Sequence, residues 1–377
     1  MMLDFFMKAI INNYRRSIMR ILTKDIGSAV KRGEIDVNQV KKILVVRPNN
    51  RLGNQLLITP LIKEINTIFP NSTIDFFMRG GLAPILFKNF DNIGRFYSLP
   101  GRPFKHLIDY IGKWISLLTT QYDLIINTNA NSSSGRLASK FVRSKYTIFD
   151  LNDIEKSEQL DDYSHFAKHI VYNLRYATNQ NLKKSISPLT INLSSEEIQK
   201  GKVLLDSMVD PDKPTIAIYT FATGSKMFTK EWWHKFYTCL KQKYGEHYNI
   251  LEVLPKENVS QIDFQAINYY STSIREMASV MHNTKLWIGA DCGVMHLAVA
   301  SGVPTIGLFS VTDIPTYKPY GGASSAIDMK TADIDDIMKR VESTLSNELI
   351  NFQSFQDNIH TPTDVHVQLE SQECRLS

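Results

Sequence analysis

Two loops in the second half of the chain carry residue types suited to holding a diphosphate. In "IAIYTFATGSKMFTKEWWHKF" an apolar run gives way to Thr220, Thr223, Gly224, Ser225 and Lys226, and then to a helical pattern. Hydroxyls, main-chain N–H groups and one ammonium ahead of a helix suit phosphate oxygens, which need several donors and positive charge. The G-x-x-x-x-G-K-[ST] spacing of a Walker loop is absent, and an ordinary strand-to-helix turn would use the same residues. In "KLWIGADCGVMHLAVASGVPTIGLF" a strand leads through Asp291, Cys292 and Gly293 into a helix carrying His296, which Gly302 and Pro304 close. Gly293 permits close approach of a ligand, and the N–H groups of residues 292–294 would point from the helix start toward an anion. The helix dipole there is worth about 0.3–2 kcal/mol. Donors aimed at charge developing on a leaving diphosphate contribute roughly 3–4 kcal/mol each in a transition state. Asp291 would serve equally as that helix's N-cap and His296 as a packed first-turn histidine, while Cys292 reads as a small filler.

A third loop, "VVRPNNRLGNQLLITP" at residues 45–60, lies in the first half. It offers Arg47, Asn50 and Arg51 to acidic groups, and Asn54 to a hydroxyl or as a cap of the following helix. Thr59 and Pro60 suit the N-cap and first position of a helix.

The elements that must position these loops alternate between β-branched runs and amphipathic stretches, the pattern of parallel sheets covered on both faces. Strands are expected at 43–47, 73–78, 123–127 and 145–149, then at 215–219, 249–253, 266–270, 285–290 and 304–309. Helices are expected at 61–68, 105–120, 133–142, 164–177, 230–244, 273–282, 294–300 and 333–346. A linker falls near 180–192, followed by Ser194 or Ser195 as N-cap ahead of Glu197. The fold class is α/β, with two doubly wound domains whose ligand loops face a shared central cleft. The expected division is an N-terminal basic amphipathic extension at 1–40, a first Rossmann-like domain at 41–185, a second at 190–350 and a polar tail at 351–377.

A net charge of +5 over 377 residues is too small to indicate a nucleic-acid partner, but suits an anionic substrate or an acidic membrane surface. Cys239, Cys292 and Cys374 form neither a disulfide framework nor a metal motif, so a reducing cytoplasm is expected. No run of about 18 apolar residues is present to span a membrane, and no export signal is evident. The stretch "FFMKAIINNYRRSIMRIL" sets Lys8, Arg15, Arg16 and Arg20 beside apolar residues at helical spacing, a pattern for docking on the first domain or on anionic lipid.

The string "GADCGVMHLAVASGVPTIGLFSVTDIPTYKPYG" resembles the D-[ST]-G-x-x-H-L-A-x-A-x-G-x-P, x-T-D-P and P-x-G run of glycosyltransferase family 9, the heptosyltransferases, which have the GT-B fold. Asp291, Gly293, His296, Leu297, Ala298, Gly302 and Pro304 match, as do Thr312, Asp313, Pro319 and Gly321. Cys292 replaces the usual hydroxyl residue, and Ile314-Pro315 displaces the usual Pro. "IREMASVMHNTKLWIGA" is similar to the family's R-E-L-A-x-L-L helix and strand, and "RPNNRLGNQLLITPL" to its R-x-x-R-x-G-D-x-x-L-x-T-P opening. "TGSKMFTKEWW" resembles the loop in which a Lys, here Lys226, holds the donor diphosphate, and the likeness spans residues 42–346.

The resemblance implies a nucleoside-diphosphate sugar, expected to be an ADP-sugar, held by the C-terminal domain through the loops at Thr220 to Lys226 and Asp291 to His296. It implies a glycan or glycolipid acceptor held by the N-terminal domain at Arg47, Asn50, Arg51 and Asn54. The transfer would be inverting, without metal or cofactor, at the inner face of the membrane. The DxD-like string at 333–335 reads instead as a solvated first turn, and Glu257 as a loop charge or a ribose contact.

One position departs from the family. Asn54 stands where the family has the Asp that takes the acceptor proton, and an amide cannot accept a proton at useful pH. General-base assistance is worth about 10²–10⁴-fold. Asp291 is the leading acidic substitute, with His106 and Asp109 behind it. A glycan- or nucleotide-sugar-binding protein without turnover, and a GT-B epimerase, are the alternatives to a transferase.

Overall fold

The computed structural model describes residues 17–19, 21–101, 105–149, 154 and 158–359, with the backbone alone for 347–359. The expected N-terminal helix with Lys8, Arg15, Arg16 and Arg20 therefore falls largely outside the described residues, as do Cys374 and the tail from 360 onward.

The described residues form two sheets, each built of parallel neighbours. The first has the order β3-β2-β1-β4-β5. Its strands are β1 (Lys42–Val46), β2 (Thr73–Arg79), β3 (Ile93–Leu99), β4 (Gln121–Asn127) and β5 (Arg143–Ile148). The second has the order β11-β10-β9-β6-β7-β8. Its strands are β6 (Thr215–Tyr219), β7 (Asn249–Val253), β8 (Ile267–Tyr269), β9 (Leu286–Ala290), β10 (Thr305–Phe309) and β11 (Ser325–Asp328). Every residue of β6, β7, β9 and β10 is buried, as expected of strands covered on both faces. The strand order reverses between β1 and β4 in one sheet and between β6 and β9 in the other, so ligand loops belong at the ends of β1, β6 and β9. Those are the three strands that the candidate loops follow.

In the first unit the helices are α1 (Leu52–Leu56), α2 (Thr59–Ile68), α3 (Ala83–Leu86), α4 (Leu107–Leu118), α5 (Ser133–Phe141) and α6 (Phe166–Ala177). In the second they are α7 (Ser195–Asp206), α8 (Lys230–Tyr244), α9 (Ile274–His282), α10 (Gly293–Ser301), α11 (Ile314–Tyr317) and α12 (Ile334–Ile359). One apolar core runs through both units, from Ile43, Leu61 and Ile170 to Val280, Trp287 and Leu297. Separate cores lie on the far faces of the sheets, around Leu44, Phe77 and Leu117 in the first and Trp233, Phe236 and Ile288 in the second.

Several local expectations are met. Ser194 caps α7 in a reciprocal box with Glu197, and Gly302 closes α10 in the left-handed region at φ 90°. Others are corrected. Ile58, not Thr59, is the N-cap of α2; the Thr59 hydroxyl turns back to the Leu56 carbonyl (2.8 Å) and accepts the Thr190 N–H (3.1 Å). Asn54 does not cap a helix but lies within α1, whose cap is Arg51. Strands β3 and β11 and the short α1, α3 and α11 were not expected, and α12 runs to Ile359 rather than stopping at 346.

Candidate active site

Lys226 ends a 3-10 turn, Gly224–Lys226, in which Gly224 takes φ 65°, a conformation glycine adopts without strain. From there its ammonium donates to Asp291 Oδ2 at 2.5 Å. Asp291 sits just past β9, and its side chain is 6% exposed against 34% for Lys226. The carboxylate is thus committed to Lys226, and Cys292, not Asp291, occupies the N-cap of α10, without a side-chain cap bond. Burial pushes the Cys292 thiol up to about 11, which keeps it protonated and unreactive at neutral pH.

The start of α10 meets the opening loop of the first unit. A Cβ on Gly293 would lie 3.4 Å from the Gly53 nitrogen and 3.4 Å from Leu52 Cβ. A Cβ on Gly53 would lie 2.6 Å from His296 Cδ2 and 3.3 Å from Gly293 Cα. Two glycines thus allow α1 and α10 to touch through their backbones, and Asn54 follows directly from this contact. Asn54 is half-buried; its carbonyl accepts from Arg47 Nε at 3.4 Å, and its side-chain amide makes no hydrogen bond among the described residues.

The remaining candidates separate by burial. Arg47 is 2% exposed and lies over the Phe166 ring at 4.3 Å, while Phe166 stacks on Tyr317 of the second unit at 6.1 Å. Asn50 and Arg51 are exposed, with the Arg51 N–H held by Asn49 Oδ1 at 2.8 Å. Thr223, Gly224 and Ser225 are exposed and open to a ligand. Thr220 is buried, donates to Glu252 Oε1 at 2.6 Å and accepts the Gln261 N–H at 3.2 Å. It supports the loop from beneath. Glu252, itself buried and held protonated to higher pH by that burial, also takes the Ser260 hydroxyl, which in turn receives the N–H groups of Ile262 and Phe264.

His296 is 5% exposed, and burial pulls its pKa down to about 4 against the opposing pull of Asp291. His165, at the N-cap of α6, is pulled down to about 4 by the same cause. Its Nδ1 accepts the Ala167 N–H (3.2 Å), so Nε2 carries the proton and donates to the Lys318 carbonyl (2.9 Å) across the two units. His165, Gln55 and Glu252 escaped the sequence reading. His165 is legible only as a polar residue ahead of a helical run, and the roles of Gln55 and Glu252 depend on partners distant in sequence. Gln55 is buried and donates to the carbonyls of Asn49 (2.8 Å) and Arg79 (3.4 Å), bracing the opening loop.

The weaker base candidates are not brought to this cluster. His106 and Asp109 are exposed at the start of α4, where Asp109 pairs with Lys113 at 4.0 Å and lines a groove beside β3. Glu257 is exposed and pairs with Lys256 at 3.7 Å. Asp333 lies just ahead of α12 and Asp335 in its first turn, both exposed. Among the described residues no group of three or more His, Cys, Asp or Glu is placed to hold a metal ion, and no helix is long and apolar enough to cross a membrane.

Comparison with known proteins places this architecture. No curated protein matches the sequence. A glycosyltransferase family 9 structure from Veillonella parvula is 16% identical, covers 85% of this chain and 100% of its own, and superposes with a TM-score of 0.65. E. coli ADP-heptose lps heptosyltransferase II is 15% identical, with 81% and 99% covered and a TM-score of 0.60. E. coli heptosyltransferase WaaC with ADP is 14% identical, with 80% and 99% covered and a TM-score of 0.61. The fold is therefore GT-B, two Rossmann-like doubly wound units facing a cleft. The family model described as glycosyltransferase family 9 (heptosyltransferase) matches residues 113–340, more than half of the sequence. The protein belongs to glycosyltransferase family 9.

Proposed function

We propose that the protein moves a heptose-like sugar from a nucleoside-diphosphate donor, an ADP-sugar in line with its structural relatives, to a lipopolysaccharide-core or other cell-surface glycan. The observation that carries this is the contact of Gly53, next to Asn54, with Gly293 and His296 at the start of α10, two residues past the Asp291 that pairs with Lys226. Donor-side and acceptor-side loops share one place.

In the proposed reaction the acceptor oxygen attacks the anomeric carbon from the face opposite the diphosphate, and the bond from that carbon to the phosphate oxygen breaks with inversion. The diphosphate leaves with its charge met by Lys226 and the N–H groups opening α10, without a metal. The Asn54 amide orients the acceptor hydroxyl. The acceptor proton passes to Asp291, whose carboxylate is freed for it as Lys226 turns to the diphosphate. The acceptor is a glycolipid at the inner face of the membrane.

A thermal-shift panel of ADP-, GDP- and UDP-sugars tests the donor site, because a bound nucleotide raises apparent stability by mass action. The ADP-sugar should give the largest shift, and Lys226→Ala should abolish it. Asp291→Asn should lower turnover about 10²-fold or more, and full activity in that variant would sink the proposed base. The amide at Asn54 also supports a second reading, a protein that binds the nucleotide sugar without turnover. Nucleotide binding with no transfer over a broad acceptor panel would favour it.

A further inference from the structure

Helix α4 buries Tyr110, Trp114 and Leu117 toward the first sheet, but its apolar character does not stop there. Leu107, Ile108, Ile111, Ile115 and Leu118 are exposed by 52, 90, 47, 57 and 37%. At the helical spacing of successive residues these five fall within an arc of about 100°, so they form a stripe along the whole helix rather than scattered side chains. Helix α5, packed on the same core, ends in Phe141, which is 58% exposed with Lys140 beside its ring at 5.8 Å. The flanking charges are mainly positive: Lys105 and Lys113 at α4, Lys140 and Arg143 at the end of α5, with Asp109 paired to Lys113.

The N-terminal segment is tied to the same layer. Arg136 of α5 donates to the Thr23 hydroxyl at 2.8 and 3.2 Å, just beyond Ile18, Ile21 and Leu22, which are 54, 64 and 70% exposed. The sixteen residues ahead of this anchor, outside the described structure, read MMLDFFMKAIINNYRR, apolar residues interspersed with Lys8, Arg15 and Arg16. Apolar stripe, cationic flank and the anchored residues around Thr23 thus belong to one layer of the first unit.

We propose that this layer docks the protein on an anionic lipid surface, with the α4 stripe and Phe141 entering the headgroup boundary and the lysines and arginines meeting lipid phosphates. A second copy of the chain fits the surface poorly, because two-fold pairing would set these cations against their own copies. The inference rests on the glycolipid reading above for its purpose, since docking the acceptor-side unit brings its cleft to a membrane-held glycan. Its test does not depend on that reading.

The experiment uses the full chain and sedimentation with vesicles of phosphatidylcholine alone or mixed with phosphatidylglycerol, in the absence of any substrate. The wild type should bind the mixed vesicles several-fold more strongly than the neutral ones, and high salt should reduce the difference. Ile111→Glu with Ile115→Glu should weaken vesicle binding roughly tenfold or more for each substitution. Val203→Glu, which alters an exposed apolar residue of α7 in the other unit (61% exposed), should change nothing. All variants should keep the wild-type melting temperature and the donor-induced thermal shift, so a failed donor assay leaves the vesicle result standing. Three outcomes would overturn the proposal: no binding by the wild type, wild-type binding by the double variant, or a dimer that the double variant dissociates while vesicle binding persists.

Discussion

Asn54 holds a half-buried amide with unused hydrogen-bonding capacity beside the contact between α1 and α10. An amide there can steer a hydroxyl but cannot take its proton, so under the proposed mechanism the base is the bottleneck. Asn54→Asp should raise turnover, by less than the roughly 10²–10⁴-fold of a whole general base because Asp291 already takes the proton, measured as ADP release with the true acceptor. No gain would mean that proton removal does not limit the rate. The buried histidines make a second prediction, in stability. His165 and His296 have pKa values of about 4 in the fold against an ordinary 6.5, so only the unfolded chain takes up these protons between those values. Stability from each is complete above pH 6.5 and is lost as pH falls toward 4, by up to about 3 kcal/mol for His165. The melting temperature should decline over that window, and His165→Gln, which keeps a donor for the Lys318 carbonyl, should flatten the decline. An unchanged slope in that variant would contradict the assignment.

Helix α10 and the short α1 define the site through a close approach of backbones. Gly53→Ala places a methyl carbon where His296 Cδ2 and Gly293 Cα already stand, at 2.6 and 3.3 Å. The strain should cost about 1–3 kcal/mol and weaken the donor-induced thermal shift. Equal melting and equal shift in that variant would show that the contact is slack. Much of this arrangement was legible because Lys226, Asp291 and Gly293 lie in loops that follow largely apolar strands, where α/β folds place ligand loops. Strand β3, "IGRFYSL", escaped notice because Gly94, Arg95 and Ser98 dilute its apolar content at a sheet edge, and β11, "SAID", is too short to show a period. That Thr220 turns inward was equally hidden, since nothing near it in sequence announces Glu252, thirty-two residues on, as its acceptor.

At the scale of the whole molecule, the end of the linker is tied to both units through a buried guanidinium. Arg275 of α9 bonds both carboxylate oxygens of Glu197 (2.6 and 2.7 Å) and the carbonyls of Ile191 (3.0 Å), Asn192 (2.9 Å) and Ile85 (3.2 Å). Asn89 adds bonds to the Asn192 carbonyl (2.7 Å) and to Glu197 (2.9 Å). The Arg275 guanidinium holds the Glu197 carboxyl down to about 2, so the pair stays ionised through neutral pH. Arg275→Ala would leave Glu197 only the exposed Lys88 ammonium, 3.8 Å away, as a counter-ion and should cost about 3 kcal/mol, read by denaturant unfolding; a loss below about 1 kcal/mol would show the cluster to be incidental. The same cluster limits how far the two halves can be exchanged between relatives. A hybrid joined anywhere in the linker would separate Ile85 and Asn89 from the arginine and glutamate that recognise them. Exchanging one unit for that of a relative therefore calls for moving the α3 turn together with α7 and α9, as one block.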